Sequence, residues 1–420
     1  MTIPVEMSER RVVEVRTVAS VCVCVLATLL GCSPKPAERT PSSTEQNTSA
    51  EAQNATWRFV VSGDSRNCGD VVMPAIAADA AKHGPKFYWH LGDFRAIYRI
   101  DEDIEHEPEN RARHLTLIRY EKTAWDDFIA NQITPFASLP VFLGIGNHEM
   151  LLHKDREDFI AKFGNWLDAP ALRDQRLKDD PNDNRVKSYF HWVMGGVDFI
   201  NLDNASGDQF DEEQLKWFRS VLARDKSNPG IQTLVVGMHA ALPESISKMH
   251  SMNQANDGGK SGVQVYKDLW SAQNDAHKHV YVLASHSHFF MDGVYDTEYW
   301  RQNAGVLPGW IVGTAGAARY QLPENSKDEH QALMKVYGYL VATINPEGQK
   351  DGTIRFEFQR LEKQQVPPAV VERFTPAFTD WCFDENVDTK SAIANLETIE
   401  KRAFHRRSNE PPSRSGRSQQ

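Results

Sequence analysis

The chain has 420 residues, enough for roughly two to three domains or one large α/β unit with extensions. Apolar residues make up 40% and charged residues 25%, which excludes collagen-like, coiled-coil and wholly disordered chains. With 47 Lys and Arg against 57 Asp and Glu the formal charge is −10, so binding of a nucleic-acid duplex is not expected. The cysteines Cys22, Cys24, Cys32, Cys68 and Cys382 are too few for a disulfide scaffold.

Residues 1–31 set Arg10, Arg11 and Arg16 against Glu6, Glu9 and Glu14, and the apolar run Val18 to Leu30 covers 13 residues. A membrane span needs about 20. A basic flank, a short apolar core and small residues describe a secretory signal. The run ends Leu29-Leu30-Gly31-Cys32, which resembles a bacterial lipobox with Cys32 as the lipid-modified first residue of the mature chain. A plain signal peptide and a buried helix are the other readings. Residues 32–56, rich in Pro, Ser, Thr, Glu and Asn, read as a solvated tether. Residues 401–420 hold six basic residues and one acidic residue and read as a disordered basic tail, leaving −15 for residues 32–400. The tail can meet anionic lipid head groups or serve solubility alone. These features predict export to the cell envelope, periplasm or outer membrane, on a lipid anchor. They say nothing of the oligomeric state.

Between 57 and 362 short apolar runs alternate with helical patterns. Trp57–Ser62, Phe87–Leu91, Val141–Ile145, Ile231–Val236, Val280–Ala284 and Trp310–Val312 read as strands. Val71–His83, Thr123–Ile133, Glu157–Leu167 and Asp211–Ala223 read as helices. Ser188–Val193 and Val197–Leu202 flank Gly195-Gly196, a hairpin signal. The mixture predicts an α/β domain over 57–362, followed by an extension over 363–400.

The strands end in an unusual series: Gly63-Asp64, Gly92-Asp93, Gly146-Asn147-His148-Glu149, Gly237-Met238-His239 and Ser285-His286-Ser287-His288. Each joins a small or flexible residue to an oxygen or imidazole ligand. Ligands in open α/β sheets bind beyond the carboxyl ends of strands, and two His at i and i+2 on an extended segment point the same way.

This set resembles the calcineurin-like metallophosphoesterases, in an arrangement similar to the purple acid phosphatase branch. The resemblance covers roughly 57–362 and rests most on Gly-Asn-His-Glu and His-Ser-His. It implies a two-sheet β-sandwich flanked by helices, with two metal ions at the strand ends. Asp93 would bridge both metals, Asp64 and His288 would bind the first, and Asn147, His239 and His286 the second. That donor set suits Fe, Mn or Zn. The implied reaction is hydrolysis of phosphate esters by a metal-bridging hydroxide, with His148 beside the leaving group as acid or charge-stabilising donor. Glu149 would orient the loop.

Two positions depart from the family pattern. Where common members carry a metal-binding His after the first Asp, this chain has Arg66, which cannot ligate. Where the purple acid phosphatase branch carries a Tyr, it has Ala96, with Tyr98 nearby. The first metal would then have three protein ligands plus water, or recruit Tyr98. Arg66 is a candidate for catalytic and substrate contact, as a fork on phosphate oxygens. Arg95 is a second candidate for phosphate, or else pairs with nearby carboxylates. Asn204 contacts substrate or caps a turn, and 99–122 is a lid, a specificity insert or a surface helix. His90 is expected in packing or behind the ligands. Cys68 and Cys382 either pair, as two leftover cysteines do in an oxidising compartment, or stay as separate thiols. The predicted substrate is a small phosphomonoester, the alternatives being a phosphodiester or nucleotide, or no catalysis in an envelope binding protein.

Overall fold

A computed structural model describes residues 55–388, apart from 112–113, 152, 207–208, 325 and 327–330. The leader, most of the tether, Cys32 and the basic tail lie outside the described residues. The strands are β1 (Trp57–Ser62), β2 (Tyr88–His90), β3 (Val141–Leu143), β4 (Phe190–Met194), β5 (Val197–Asn201), β6 (Thr233–Gly237), β7 (His279–Ala284), β8 (Phe290–Asp292), β9 (Gly309–Val312), β10 (Ala332–Leu333), β11 (Tyr337–Ile344) and β12 (Ile354–Leu361). They form a five-stranded sheet, β12-β11-β1-β2-β3, and a seven-stranded sheet, β10-β8-β9-β7-β6-β5-β4.

Aromatic side chains join the two sheets face to face. Phe59 and Phe87 of one meet Phe199 of the other at centroid distances of 5.1 Å each, and Phe142 stacks on Trp192 at 4.0 Å. Interdigitating inner faces of this kind make a sandwich core. A second apolar cluster lies on the outer face of the larger sheet, where Phe218, Val221 and Leu222 from the helix Glu212–Ser227 meet Leu234 and Val236 of β6. The architecture is therefore an α/β two-sheet sandwich flanked by helices, the α/β class that the sequence pattern predicts and the sandwich that the resemblance implies.

Strands β1, β2 and β3 run parallel in one sheet, and β5, β6, β7 and β9 in the other. The motifs that follow β1, β2, β3, β6 and β7 are consequently delivered to one end of the sandwich. The hairpin β4–β5 turns through Gly195 and Gly196, at φ 58° and 80°, the two left-handed positions that a two-residue turn of this type requires.

The structure adds strands that the sequence reading did not separate. β12 alternates apolar with charged residues as a half-exposed strand, and β11 is buried along its whole length. The predicted helix Thr123–Ile133 is instead a helix over Leu117–Asp127 that widens into a π turn over Phe128–Ile133. Among the described residues no helix is long and apolar enough to cross a membrane.

The segment 99–122 braces the ligand loops. The buried Asp101 carboxylate accepts the backbone N–H of Asn67 at 2.7 Å and of Ala96 at 3.1 Å, and the Tyr120 hydroxyl at 2.5 Å. The C-terminal extension packs through a disulfide between Cys68 and Cys382. Asn386 reinforces that seam by donating to the Tyr337 hydroxyl at 2.8 Å and to the Gly316 carbonyl at 3.2 Å.

Candidate metal centre

The loops after β2 and β3 press together where the candidate ligands stand. Gly92 has φ +96°, and a Cβ there would lie 2.5 Å from the Gly146 nitrogen. A Cβ on Gly146 would lie 2.3 Å from Asp93 Oδ1. Glycine is needed at both for this approach. Asp64, Asp93 and His286 adopt φ values of 60°, 60° and 64°. A left-handed backbone is uncommon for such residues and persists only where the surroundings fix it. Here Asp64 N–H donates to the Gly92 carbonyl at 3.0 Å, and His286 N–H to Asp64 Oδ2 at 2.7 Å.

Two donor sets share Asp93. One is Asp93, His239 and His286; the other is Asp64, Asp93 and His288. Asn147 joins the first, with Oδ1 2.9 Å from His239 Nε2. His239 Nε2 also lies 3.0 Å from His286 Nδ1 and 3.2 Å from Asp93 Oδ1. The opposite edge of each anchored imidazole is committed to protein. His239 Nδ1 meets the Leu91 carbonyl at 3.0 Å, and His288 Nδ1 meets the Ala318 carbonyl at 2.7 Å. A ring that donates from Nδ1 to a carbonyl presents a bare Nε2, the tautomer suited to a metal.

This leaves acceptors facing acceptors. Asp64 Oδ1, 3.2 Å from His288 Nε2, and Asp93 Oδ2 are buried carboxylate oxygens without a hydrogen-bond partner. Such an orphan is costly unless a cation satisfies it. The residues thus fit two metal ions. With only protons to supply the charge, the site draws one onto His239: burial opposes this, but Asp93 and the Leu91 carbonyl push its pKa up to about 9.

His148 donates its backbone N–H to Asp93 Oδ1 at 3.0 Å and its Nδ1–H to the Ala96 carbonyl at 2.7 Å. Its Nε2 accepts from Arg66 Nη1 and lies 3.6 Å from Asp93 Oδ2. Burial, joined by the Arg66 charge, holds His148 down to about 3. It is therefore a neutral ring that meets the site with Nε2. Glu149 accepts the N–H groups of Asp93, Gly146 and Phe94 at 2.8, 2.9 and 2.9 Å, so it clamps both loops. His90 stands behind the ligands, with Nε2 3.0 Å from Ser65 Oγ.

Arg66 is almost fully buried and enters the site. Besides His148, its Nη2 meets His288 Nε2 at 3.0 Å, and its Nε lies 3.9 Å from Asp93 Oδ2. Tyr98 lies beside His148, with centroids 5.4 Å apart.

Two candidates from the sequence do not face the site. Arg95 is fully buried against Asp70, Asp103 and Asp127, with Nη1 2.9 Å from Asp103 Oδ1. Its fork is consumed by carboxylates rather than held open for phosphate. Asn204 exchanges two hydrogen bonds with the backbone of Ala240, at 2.7 and 3.1 Å, and so positions the residue after His239. Conversely, two residues at the site escaped the sequence reading. Tyr320 stacks on His288 at 3.9 Å and on His250 at 4.8 Å, and His250 sits 5.5 Å from His286. Neither follows a strand-end motif, so spacing carried no signal for them.

No protein-family model matches the chain, and no curated protein matches it. Among solved structures it is similar to the purple acid phosphatase PPD1 of yellow lupin (Lupinus luteus), at 16% identity and a TM-score of 0.49, over 73% of this chain and 52% of that one. The chain thus spans about half the length of the lupin protein. It is also similar to a structure of PhoD, at 13% identity and a TM-score of 0.48, over 84% and 77%. A dimetal phosphatase from Danio rerio matches at 13% identity and a TM-score of 0.43, over 73% and 97%.

Proposed function

We propose that the chain is a metal-dependent phosphoesterase of the calcineurin-like kind, acting on small phosphomonoesters. One observation carries the reading: buried carboxylate oxygens of Asp64 and Asp93 that lack a hydrogen-bond partner converge with the Nε2 atoms of His239 and His288. Asp64, Asp93 and His288 would hold one ion, and Asp93, Asn147, His239 and His286 the other. Bound there, two ions would supply hydroxide at neutral pH and neutralise phosphoryl charge, the ordinary chemistry of paired metals; Fe, Mn and Zn suit the donors.

The protein's own groups then have defined tasks. Glu149 and the Leu91 and Ala318 carbonyls fix the ligands in place. Arg66 offers a guanidinium to the phosphoryl oxygens, which favours a dianionic monoester over a diester. His148 brings Nε2 to the leaving oxygen; with Arg66 turned toward phosphate, that nitrogen is released from its present bond. With Arg66 drawn off, the charge that helps keep the ring neutral is gone, and Nε2 would take a proton from water before donating it to the leaving group, a contribution of about 10²–10⁴-fold. A lipid anchor at Cys32 and an envelope location belong to the same proposal, and the Cys68–Cys382 disulfide supports an oxidising compartment.

A second reading, a catalytically inactive binding protein, is favoured by Arg66 bonding to both His148 and His288. The deciding experiment measures bound metal and phosphate release from monoester and diester substrates in the full chain with Mn, Fe or Zn. Metal content with monoester turnover, both lost in Asp93→Asn, supports the enzyme. No turnover on either class, with or without bound metal, supports the binding protein, and no metal at all overturns the enzyme.

A further inference from the structure

We propose that Arg66 holds the Asp64–Asp93–His288 half-site against a metal ion until phosphate draws the guanidinium away, so that the two half-sites fill with unequal affinity. The inference rests on the metal-centre reading above and deepens it.

The two halves differ in what they offer. The Asp93–His239–His286 side adds Asn147, giving four donor groups. The other side has three donor groups, and Arg66 engages it directly. Arg66 Nη2 donates to His288 Nε2 at 3.0 Å, the same lone pair that a metal would use. One lone pair cannot serve an N–H and a metal together. Arg66 Nε stands 3.9 Å from Asp93 Oδ2, an oxygen left for a cation. A fixed positive charge there repels a divalent ion among buried side chains, where charges are poorly screened. The guanidinium therefore stands in for the first ion, electrostatically and as a hydrogen-bond donor.

Phosphate changes the balance. A planar fork prefers bidentate contact with a phosphate to a single imidazole nitrogen. Moving Arg66 onto phosphate uncovers His288 Nε2 and removes the competing charge. Phosphate and the first-site ion then help each other bind, and linkage makes the effect reciprocal.

The test is Mn²⁺ calorimetry and metal analysis on the full chain, with and without inorganic phosphate. Wild type should take one equivalent tightly and a second at least about tenfold more weakly. Arg66→Ala should narrow that gap to roughly threefold or less, and phosphate should strengthen the second equivalent by a larger factor in wild type than in the variant. Arg66→Gln, which keeps a donor without the charge, serves as the second variant, and thermal melting establishes that each is folded. Two equivalents of equal affinity in wild type, or an unchanged gap in both folded variants, would overturn the inference and leave the metal centre standing. Absence of any Mn²⁺ binding would overturn both.

Discussion

The Glu149 carboxylate accepts the backbone N–H of Asp93 at 2.8 Å while its same oxygen accepts that of Gly146 at 2.9 Å. A residue that touches no ligand atom thereby sets the separation of the two loops that carry Asp93 and Asn147. Glu149→Gln should put an amide NH₂ against backbone donors and lower stability by roughly 1–3 kcal/mol. Metal affinity should fall about 10–100-fold, as for other groups that orient ligands. Metal titration of the purified variant checks this; unchanged affinity would mean that the loops hold themselves.

Arg95 makes the opposite case. It occupies the same place relative to Asp93 that Arg66 occupies relative to Asp64, yet it pairs with Asp70, Asp103 and Asp127. Arg95→Met should leave those carboxylates without their buried counter-charge and destabilise by at least about 3 kcal/mol. Urea unfolding reads the loss. In the folded fraction KM for a phosphomonoester should stay as in wild type, and a raised KM would restore Arg95 to the substrate.

This contrast shows where the sequence was legible. The metal-binding candidates were readable because each stands directly after an apolar strand, where chain direction alone carries it to the strand ends. The fate of an arginine depends on carboxylates from elsewhere: Asp103 and Asp127 belong to the segments after Arg95, whose local pattern leaves lid, insert and helix open and does not show which side chains turn back toward Arg95. Asn204 stayed open between substrate and a backbone-capping role for the same reason, since its partner, the Ala240 backbone, lies on a neighbouring strand's loop. His250 and Tyr320 reach the site through ring stacking, which has no periodic signature.

The disulfide gives a third prediction. Cys68 immediately precedes the helix Gly69–Ala80, and Cys382 lies 314 residues later in the helix Pro376–Asp384. Closing so long a loop restricts the unfolded chain and stabilises by at most about 4–5 kcal/mol. Reduction, or Cys68→Ser with Cys382→Ser, should lower the denaturation midpoint and expose the seam around Asn386 to hydrogen exchange. Identical midpoints with and without reductant would count against any stabilising role.

His191 carries the pH prediction. Its Nδ1 lies 2.9 and 2.8 Å from the two Asp198 oxygens, and its Nε2 meets Asp179, which Arg224 also contacts at 2.6 Å. Burial opposes the charged ring, but Asp198 and Asp179 outweigh it and lift its pKa to about 10. A folded value above the ordinary 6.5 means that this stabilisation is complete below pH 6.5 and is lost as pH rises through 10. Asp225, which faces Asp198, is pushed up to about 8 by burial, then by that neighbour. Its raised carboxyl acts in the same direction, over the lower window from about 4 to 8. Unfolding free energy from urea melts should therefore fall between pH 7 and pH 10. His191→Gln should be less stable at pH 7 by roughly 3 kcal/mol, because Asp198 and Asp179 lose a buried partner. It should also show a flatter decline above pH 8, where Asp225 no longer contributes. A variant that keeps the wild-type slope from pH 8 to 10 would place the alkaline sensitivity elsewhere in the molecule.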